Sequence, residues 1–465
     1  MLLKFSVQNF RSFQDTVTLD LVSSTKIRSL DSHIHKYGSL KVLRNAVIYG
    51  ANASGKSNLY RGLSLMQFTL QNGGLPLNCR DSYCKVSKGG RESDSSFDLM
   101  FEADGRFFDY GFSSRLANRR ITSEWLYELR LPRKSPKTNG WIHNVIFARD
   151  ETSGIRLGDD FNLDEDDRQR FGLYAADFAQ TRDGLFLTEL NRNKVFPLGS
   201  SLSVFNVVYR YLVERIRIIG AGEPQLQMGL FLNQDKLAQV SDLLASFDTG
   251  IDQLELKAVT PSEFKEMVPE PIVNDIKETL SALDARNAED VGGVIRTPQS
   301  LIVINSHQSD ELTVEKLSLK HGGSYFDYDF SEESDGTQRL FDFIELMFTA
   351  DRNAVFVIDE IDQSLHPMLT RFLVEQFNRV HASDQCQLIC TTHEDALMNT
   401  DLLRRDEIWF IEREPDGRSN LYSLDQFADV RSDTSLNHAY WEGRYGGIPV
   451  LSASWIERVA HASAQ

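Results

Sequence analysis

The run Gly50-Ala51-Asn52-Ala53-Ser54-Gly55-Lys56-Ser57 constrains this chain more than any other stretch. It reads G-x-x-x-x-G-K-S. It lies between the apolar segment Asn45–Tyr49 and residues 58–70, whose apolar residues have helical spacing. Strand, glycine-rich turn and helix, in that order, describe a phosphate-binding loop. Glycines let successive backbone N–H groups turn inward, and the following helix presents its positive end to an anion. Lys56 is expected to reach the β- and γ-phosphates of ATP, and the Ser57 hydroxyl to ligate Mg²⁺. Gly50, Asn52, Ser54, Gly55 and Asn58 belong to the same expected nucleotide site.

A second signal stands far downstream. Ala354-Val355-Phe356-Val357-Ile358 is a run of apolar residues that fits a strand buried on both faces of a mixed sheet, and Asp359-Glu360 follows it directly. Ligands of such sheets sit at strand ends of this kind. Asp359 is therefore expected to hold Mg²⁺, and Glu360 to act as the base that polarises the attacking water.

Three features narrow the class of nucleotide hydrolase. Lys56 and Asp359 are much further apart than in small GTPases. Ser334-Asp335-Gly336-Thr337-Gln338 precedes an apolar helical pattern and resembles a degenerate form of the L-S-G-G-Q signature of ABC ATPases. Thr391-Thr392-His393 follows a further strand pattern and resembles their switch histidine. In that scheme Ser334 and Gly336 contact the γ-phosphate bound by a second subunit, so two copies close head-to-tail. His393 contacts the same phosphate from its own subunit. Asp335 and Thr337 replace consensus residues, and no Q-loop glutamine is assignable, since Gln67 and Gln71 fall too early. Asp362 and Ser364 occupy the position of the D-loop, through which such subunits communicate.

The patterning along the rest of the chain gives an α/β fold: an ABC-type P-loop ATPase head with a mixed sheet, an antiparallel β subdomain and a helical insertion. Residues 1–160 read as the N-terminal part of the core with the phosphate loop and a β meander over 96–148. Residues 161–295 read as the helical insertion, with helical spacing over 203–219, 235–247 and 262–283. Residues 296–465 read as the C-terminal part, with strand patterns at 301–304, 325–330, 354–358, 387–390 and 408–411.

Charge and cysteine content weigh against other classes. The formal net charge is −17, opposite in sign to a surface that grips nucleic acid along its whole extent. No apolar run approaches the length of a membrane span. The N-terminus lacks a signal peptide's apolar stretch, which suggests a cytoplasmic protein. Cys79, Cys84, Cys386 and Cys390 lack zinc-knuckle spacing and read as buried thiols.

The opening Phe5-Ser6-Val7-Gln8-Asn9-Phe10-Arg11-Ser12-Phe13 resembles that of RecF/SMC-like and OLD-like ABC ATPases. With Asp359 to Pro367, Thr392-His393, Asp406 to Phe410 and Glu442 to Pro449, it is similar to stand-alone bacterial ABC-type AAA family ATPases of the RloA/AbiL type. The resemblance implies a homodimer or higher oligomer in a phage-defence module. It also implies a neighbouring-gene effector, such as a TOPRIM-type nuclease, and a phage-derived trigger. It assigns Arg11 a nucleotide contact. The competing expectation is a RecF-like DNA-repair ATPase, for which Arg115, Arg119, Arg120, Arg130, Arg133 and Lys134 would supply a basic surface. A transporter subunit at the membrane is the least favoured.

Overall fold

The structure is a computed structural model that describes residues 1–131, 140–192, 194–197, 199–222, 231, 234–268, 270, 273, 291–297, 300–306, 312–427 and 436–449. Arg133, Lys134 and most of the second half of the predicted helix over 262–283 lie outside these residues. The chain divides into two compact units. One comprises Met1–Ile218, Asp351–Ile361 and His381–Gln465, and the other Ile219–Ala350 and Asp362–Val380. The fold is α/β with several sheets.

Among the described residues, two large sheets build the first unit. A six-stranded sheet runs in the order Ile216–Ile219, Val355–Ile358, Gln387–Thr391, Asn45–Tyr49, Ile408–Arg413 and Ser419–Ser423. Its three central pairings are parallel, and its last is antiparallel. The strands Asn45–Tyr49, Val355–Ile358 and Gln387–Thr391 are buried at every residue. The apolar runs within them, 46–49, 355–358 and 388–390, match a strand covered on both faces.

The seven-stranded sheet is an antiparallel meander. Its order is Gly154–Leu157, Ile142–Asp150, Arg120–Arg130, Arg106–Arg115, Ser95–Ala103, Leu2–Gln8 and Val17–Asp20. Asp104-Gly105, both with positive φ, turns between two of its strands. The inward aromatics Phe97, Phe101, Phe108, Phe112 and Phe147 are all fully buried. Helices Glu165–Phe178, Phe186–Asn191 and Ser203–Arg210 add Phe171, Phe178, Phe186 and Phe205 to the same core.

A buried polar network anchors the foot of the strand that leads into the phosphate loop. Glu407 is fully buried and accepts from Asn45 Nδ2 at 3.0 Å. Its carboxylate also lies 2.9 Å from His33 Nδ1. Arg404, equally buried, pairs with Asp406 at 2.9 Å. Buried groups of this kind hold one geometry because each loses heavily if a partner leaves.

In the second unit the strands Ile251–Ala258, Leu312–His321, Leu301–Ser306 and Val291–Arg296 form one antiparallel sheet, with Tyr328–Asp329 paired to Leu312–His321. Helices Gln234–Ser246, Pro261–Met267, Asp335–Phe348 and Pro367–Val380 complete the described part.

The structure differs from the sequence reading in three places. Helical spacing over 203–219 covers a helix, a wide π-helical turn at Tyr211–Arg215 and then a strand at Ile216–Ile219. β-branched Ile216, Ile218 and Ile219 favour that strand. Ile251–Ala258 is a strand inside the stretch 161–295 read as helical, and the strand Val291–Arg296 straddles its end. The pattern over 325–330 yields only the short strand Tyr328–Asp329, and Tyr325 and Phe326 are exposed.

Candidate functional site: a nucleotide cleft in the first unit

The loop after Asn45–Tyr49 owes its shape to residues that no larger side chain could replace. A Cβ at Gly50 would lie 2.4 Å from the Ile411 carbonyl oxygen. Gly55 has φ +114°, and a Cβ there would lie 2.7 Å from Ser12 Oγ and 2.8 Å from Ser419 Oγ. Only glycine accepts both the backbone conformation and the approach. Ala53 also adopts a positive φ, 62°.

Long-range hydrogen bonds brace the loop. Ser419 Oγ donates to the Ser54 carbonyl at 2.5 Å, and Asn58 Nδ2 donates to Ser12 Oγ at 2.8 Å. The helix Lys56–Asn72 begins at once, with Gly55 at its cap. Lys56 is buried, and its ammonium donates to the carbonyls of Gly50 at 2.7 Å and Ala51 at 3.2 Å. The side chain thus bends back over its own loop, where a triphosphate would be received.

The acidic pair sits at the end of Val355–Ile358. Asp359 is buried, and Thr391 Oγ1 donates to its Oδ1 at 2.6 Å. The same hydroxyl accepts from the Glu360 backbone N–H at 2.8 Å. Thr391 therefore fixes the buried carboxylate and the backbone of the next residue together. Glu360 takes a left-handed φ of 53°. That conformation costs a non-glycine residue energy, on the order of 1 kcal/mol.

Arg11 arrives on a tight turn. Phe10 and Phe13 exchange backbone hydrogen bonds at 2.9 and 2.8 Å, and Asn9 and Arg11 both have positive φ. The Arg11 guanidinium lies 5.7 Å from the centre of the Phe10 ring. Partial burial, and then the neighbouring Arg61 cation, lower its pKa from the usual arginine value.

An open cleft of about 470 Å³ gathers these residues. Arg11, Asn52, Gly55, Lys56, Ser57, Asn58, Glu360 and His393 all line it. Gly50, Ser54 and Asp359 are buried and are not among the residues that line it. Ser334 and Gly336 belong to the other unit. Ser334 caps the helix Asp335–Phe348 by accepting from the Thr337 N–H at 3.1 Å. A Cβ at Gly336 would lie 2.7 Å from the Ser364 carbonyl oxygen, so close packing also requires that glycine.

Several residues of the cleft were not singled out from sequence. Ser12, inside the opening motif, lines the cleft, while Thr391 does not line it but braces Asp359 and the Glu360 backbone; neither role has a local sequence signal. Tyr83 and Arg413 line the cleft with no local signal. Arg61 had a readable one, since it lies one helical turn beyond Ser57. Gln67 donates to the Ile216 carbonyl at 2.6 Å and so ties the loop-bearing helix to the sheet edge.

The donor set fits a nucleoside triphosphate with a divalent cation. The loop supplies a glycine cradle and a lysine, while Ser57 and Asp359 offer a hydroxyl and a carboxylate of the hard-oxygen type that Mg²⁺ takes. Among the described residues no helix is long and apolar enough to cross a membrane. All four cysteines are buried and none forms a disulfide.

Comparison with known proteins adds the following. The family described as "AAA domain, putative AbiEii toxin, Type IV TA system" matches residues 46–399. No curated protein matches the chain. Similar solved structures include the SMC head bound to the C-winged helix domain of ScpA, at 13% identity and a TM-score of 0.40, covering 91% of this chain and 97% of that one. The SMC head domain from Thermotoga maritima has 14% identity and a TM-score of 0.36, covering 91% and 98%. An Smc head domain with an extended coiled coil, bound to the C-terminal domain of ScpA from Pyrococcus furiosus, has 14% identity and a TM-score of 0.39, covering 91% and 97%.

Proposed function

We propose, from the premise that this chain belongs to the AAA-domain family of putative AbiEii toxins of type IV toxin–antitoxin systems, that it is an ABC-type ATPase of a bacterial anti-phage defence system. ATP binding and hydrolysis at a head-to-tail interface between copies would sense a trigger and control a partner effector. The observation that carries the reading is the convergence of Arg11, Lys56, Ser57, Glu360 and His393 on one cleft.

Each residue has a task that its chemistry suits. Lys56 leaves the carbonyls of Gly50 and Ala51 and pairs with the β- and γ-phosphates. The loop N–H groups and the helix start take the remaining phosphate charge. Ser57 and Asp359 would hold Mg²⁺, which would supply charge neutralisation at the phosphates. Glu360 accepts a proton from the water that attacks the γ-phosphorus, and the bond to the bridging oxygen of ADP breaks. His393 and Arg11 stabilise the negative charge that spreads over the transferring group. Ser334 and Gly336 of a second copy close the site from the far side. Thr391 acts on Asp359 and Glu360 as a positioning residue.

The test is the size and partner content of the assembly, measured by light scattering after co-expression with the neighbouring gene product. Glu360→Gln should trap an ATP-bound complex with that product, and Lys56→Ala should alter the complex. If no complex forms in any nucleotide state, effector control is lost as a reading, and ATP-dependent DNA retention would put a repair ATPase in its place.

A further inference from the structure

A second cleft, of about 850 Å³, opens along the outer face of the helix Lys56–Asn72 and shares Arg11 and Arg61 with the first. It is lined by three guanidiniums, those of Arg11, Arg61 and Arg119, against one carboxylate, Asp183. On a chain with a net charge of −17 this is a local reversal of sign. Asp183 lies 4.0 Å from Arg119. Arg11 and Arg61 have no ion-pair partner among the described residues. Two like charges therefore face one space.

The same cleft has exposed apolar surface. Phe68 stands two helical turns beyond Arg61 on the same helix face and is 43% exposed. Leu77, which also lines the cleft, is 72% exposed. A cationic end and an open aromatic face in one groove suit a phosphate joined to a flat base. The volume lies within the range of small-ligand sites.

We infer that this cleft binds a nucleoside phosphate, with the phosphate on Arg11 and Arg61 and the base on Phe68. The ligand is either a free nucleotide or one residue of a single strand. The site is separate from the phosphate loop, and because two arginines line both clefts, occupancy of one changes affinity at the other.

The test uses the full chain and two probes, a short fluorescein-labelled oligothymidylate and AMP. Lys56→Ala removes the triphosphate contact of the first cleft. Binding of the oligothymidylate, read by anisotropy, should survive in that variant. Phe68→Ala, at an exposed position, should weaken it by about ten-fold, within the range for loss of one base–aromatic stack. Arg61→Gln should weaken it and lower the salt dependence by about one phosphate contact. Competition by AMP identifies the free nucleotide as the source, and oligothymidylate binding without such competition identifies a strand. If neither probe binds Lys56→Ala protein, or if Phe68→Ala binds as wild type, the second site does not exist. That outcome leaves ATP binding at Lys56 standing. Conversely, absence of ATP binding to the wild type with the oligothymidylate still bound would sink the ATPase reading alone.

Discussion

The phosphate loop and the start of the helix Asp335–Phe348 both offer a glycine and a serine beside a helix N-terminus, yet their residue choices have different causes. At Ser334 and Gly336 local structure is a sufficient cause: the serine caps its own helix and the glycine makes room for the Ser364 carbonyl. At the phosphate loop it is not. Conformation and packing account for Gly55 there as well, but not for Lys56, a buried lysine whose ammonium donates to two carbonyls of its own loop. Burying an ammonium is costly, and carbonyls return only part of that cost. A loop that keeps a cation buried at its centre is prepared for an anion. The comparison teaches that the same residue types weigh more as functional signals where capping and packing do not already account for them.

The largest expected effect falls on the loop side of this contrast. Glu360→Gln should lower the rate of ATP hydrolysis by about 10²- to 10⁴-fold, the usual worth of a positioned base, while ATP binding measured by calorimetry stays close to wild type. A Glu360→Gln protein that turns over ATP normally would remove the residue from the chemistry. Lys56→Ala comes next. It should weaken ATP binding by roughly 10- to 100-fold, the scale of a lost charge-assisted contact. Equal affinity in a fluorescent-ATP titration would mean that the buried lysine serves only the loop.

What could be read in the sequence follows the same division. That the loop, Glu360 and His393 would lie near one another was legible, because each follows a short apolar strand pattern of one sheet, and all three line one cleft. The apolar residues 46–48 and 355–358 could hardly sit anywhere but in a buried sheet. Ser12, Thr391 and Ser419 were not legible as bracing groups, because their partners lie far away in the chain: Ser419 meets Ser54 across 365 positions. Arg11 was legible only through resemblance, and the positive-φ turn that delivers it has no glycine to announce it. The strand Ile251–Ala258 shows a period-two alternation at Leu254, Leu256 and Ala258 that neighbouring helical patterns obscured.

Thr391→Val sharpens the comparison at intermediate size. Valine keeps the shape and deletes the hydroxyl that serves both Asp359 and the Glu360 N–H. Leaving buried groups unpaired costs about 1–3 kcal/mol. The expected result is a hydrolysis rate about ten-fold lower, a raised Mg²⁺ requirement and little change in metal-free nucleotide affinity. A loss of stability with unchanged Mg²⁺ dependence would make Thr391 a structural residue only.

The smallest effect decides whether Ser334 belongs with the loop or remains a cap. Ser334→Ala removes the cap and should cost about 1 kcal/mol, seen as a drop of a few degrees in Tm. That change alone cannot separate the two causes, because a lost cap also moves the helix start. Ser334→Asp can. Aspartate caps a helix as well as serine does, so the melting temperature should return to that of the wild type. Its carboxylate would then face the γ-phosphate of a second copy, and like charges oppose closure. ATP-dependent dimerisation, read by light scattering in the Glu360→Gln background, should be lost in Ser334→Asp while stability is kept. A dimer that forms as readily with aspartate as with serine would show that capping is the whole role of Ser334, and the head-to-tail interface would have to be sought elsewhere.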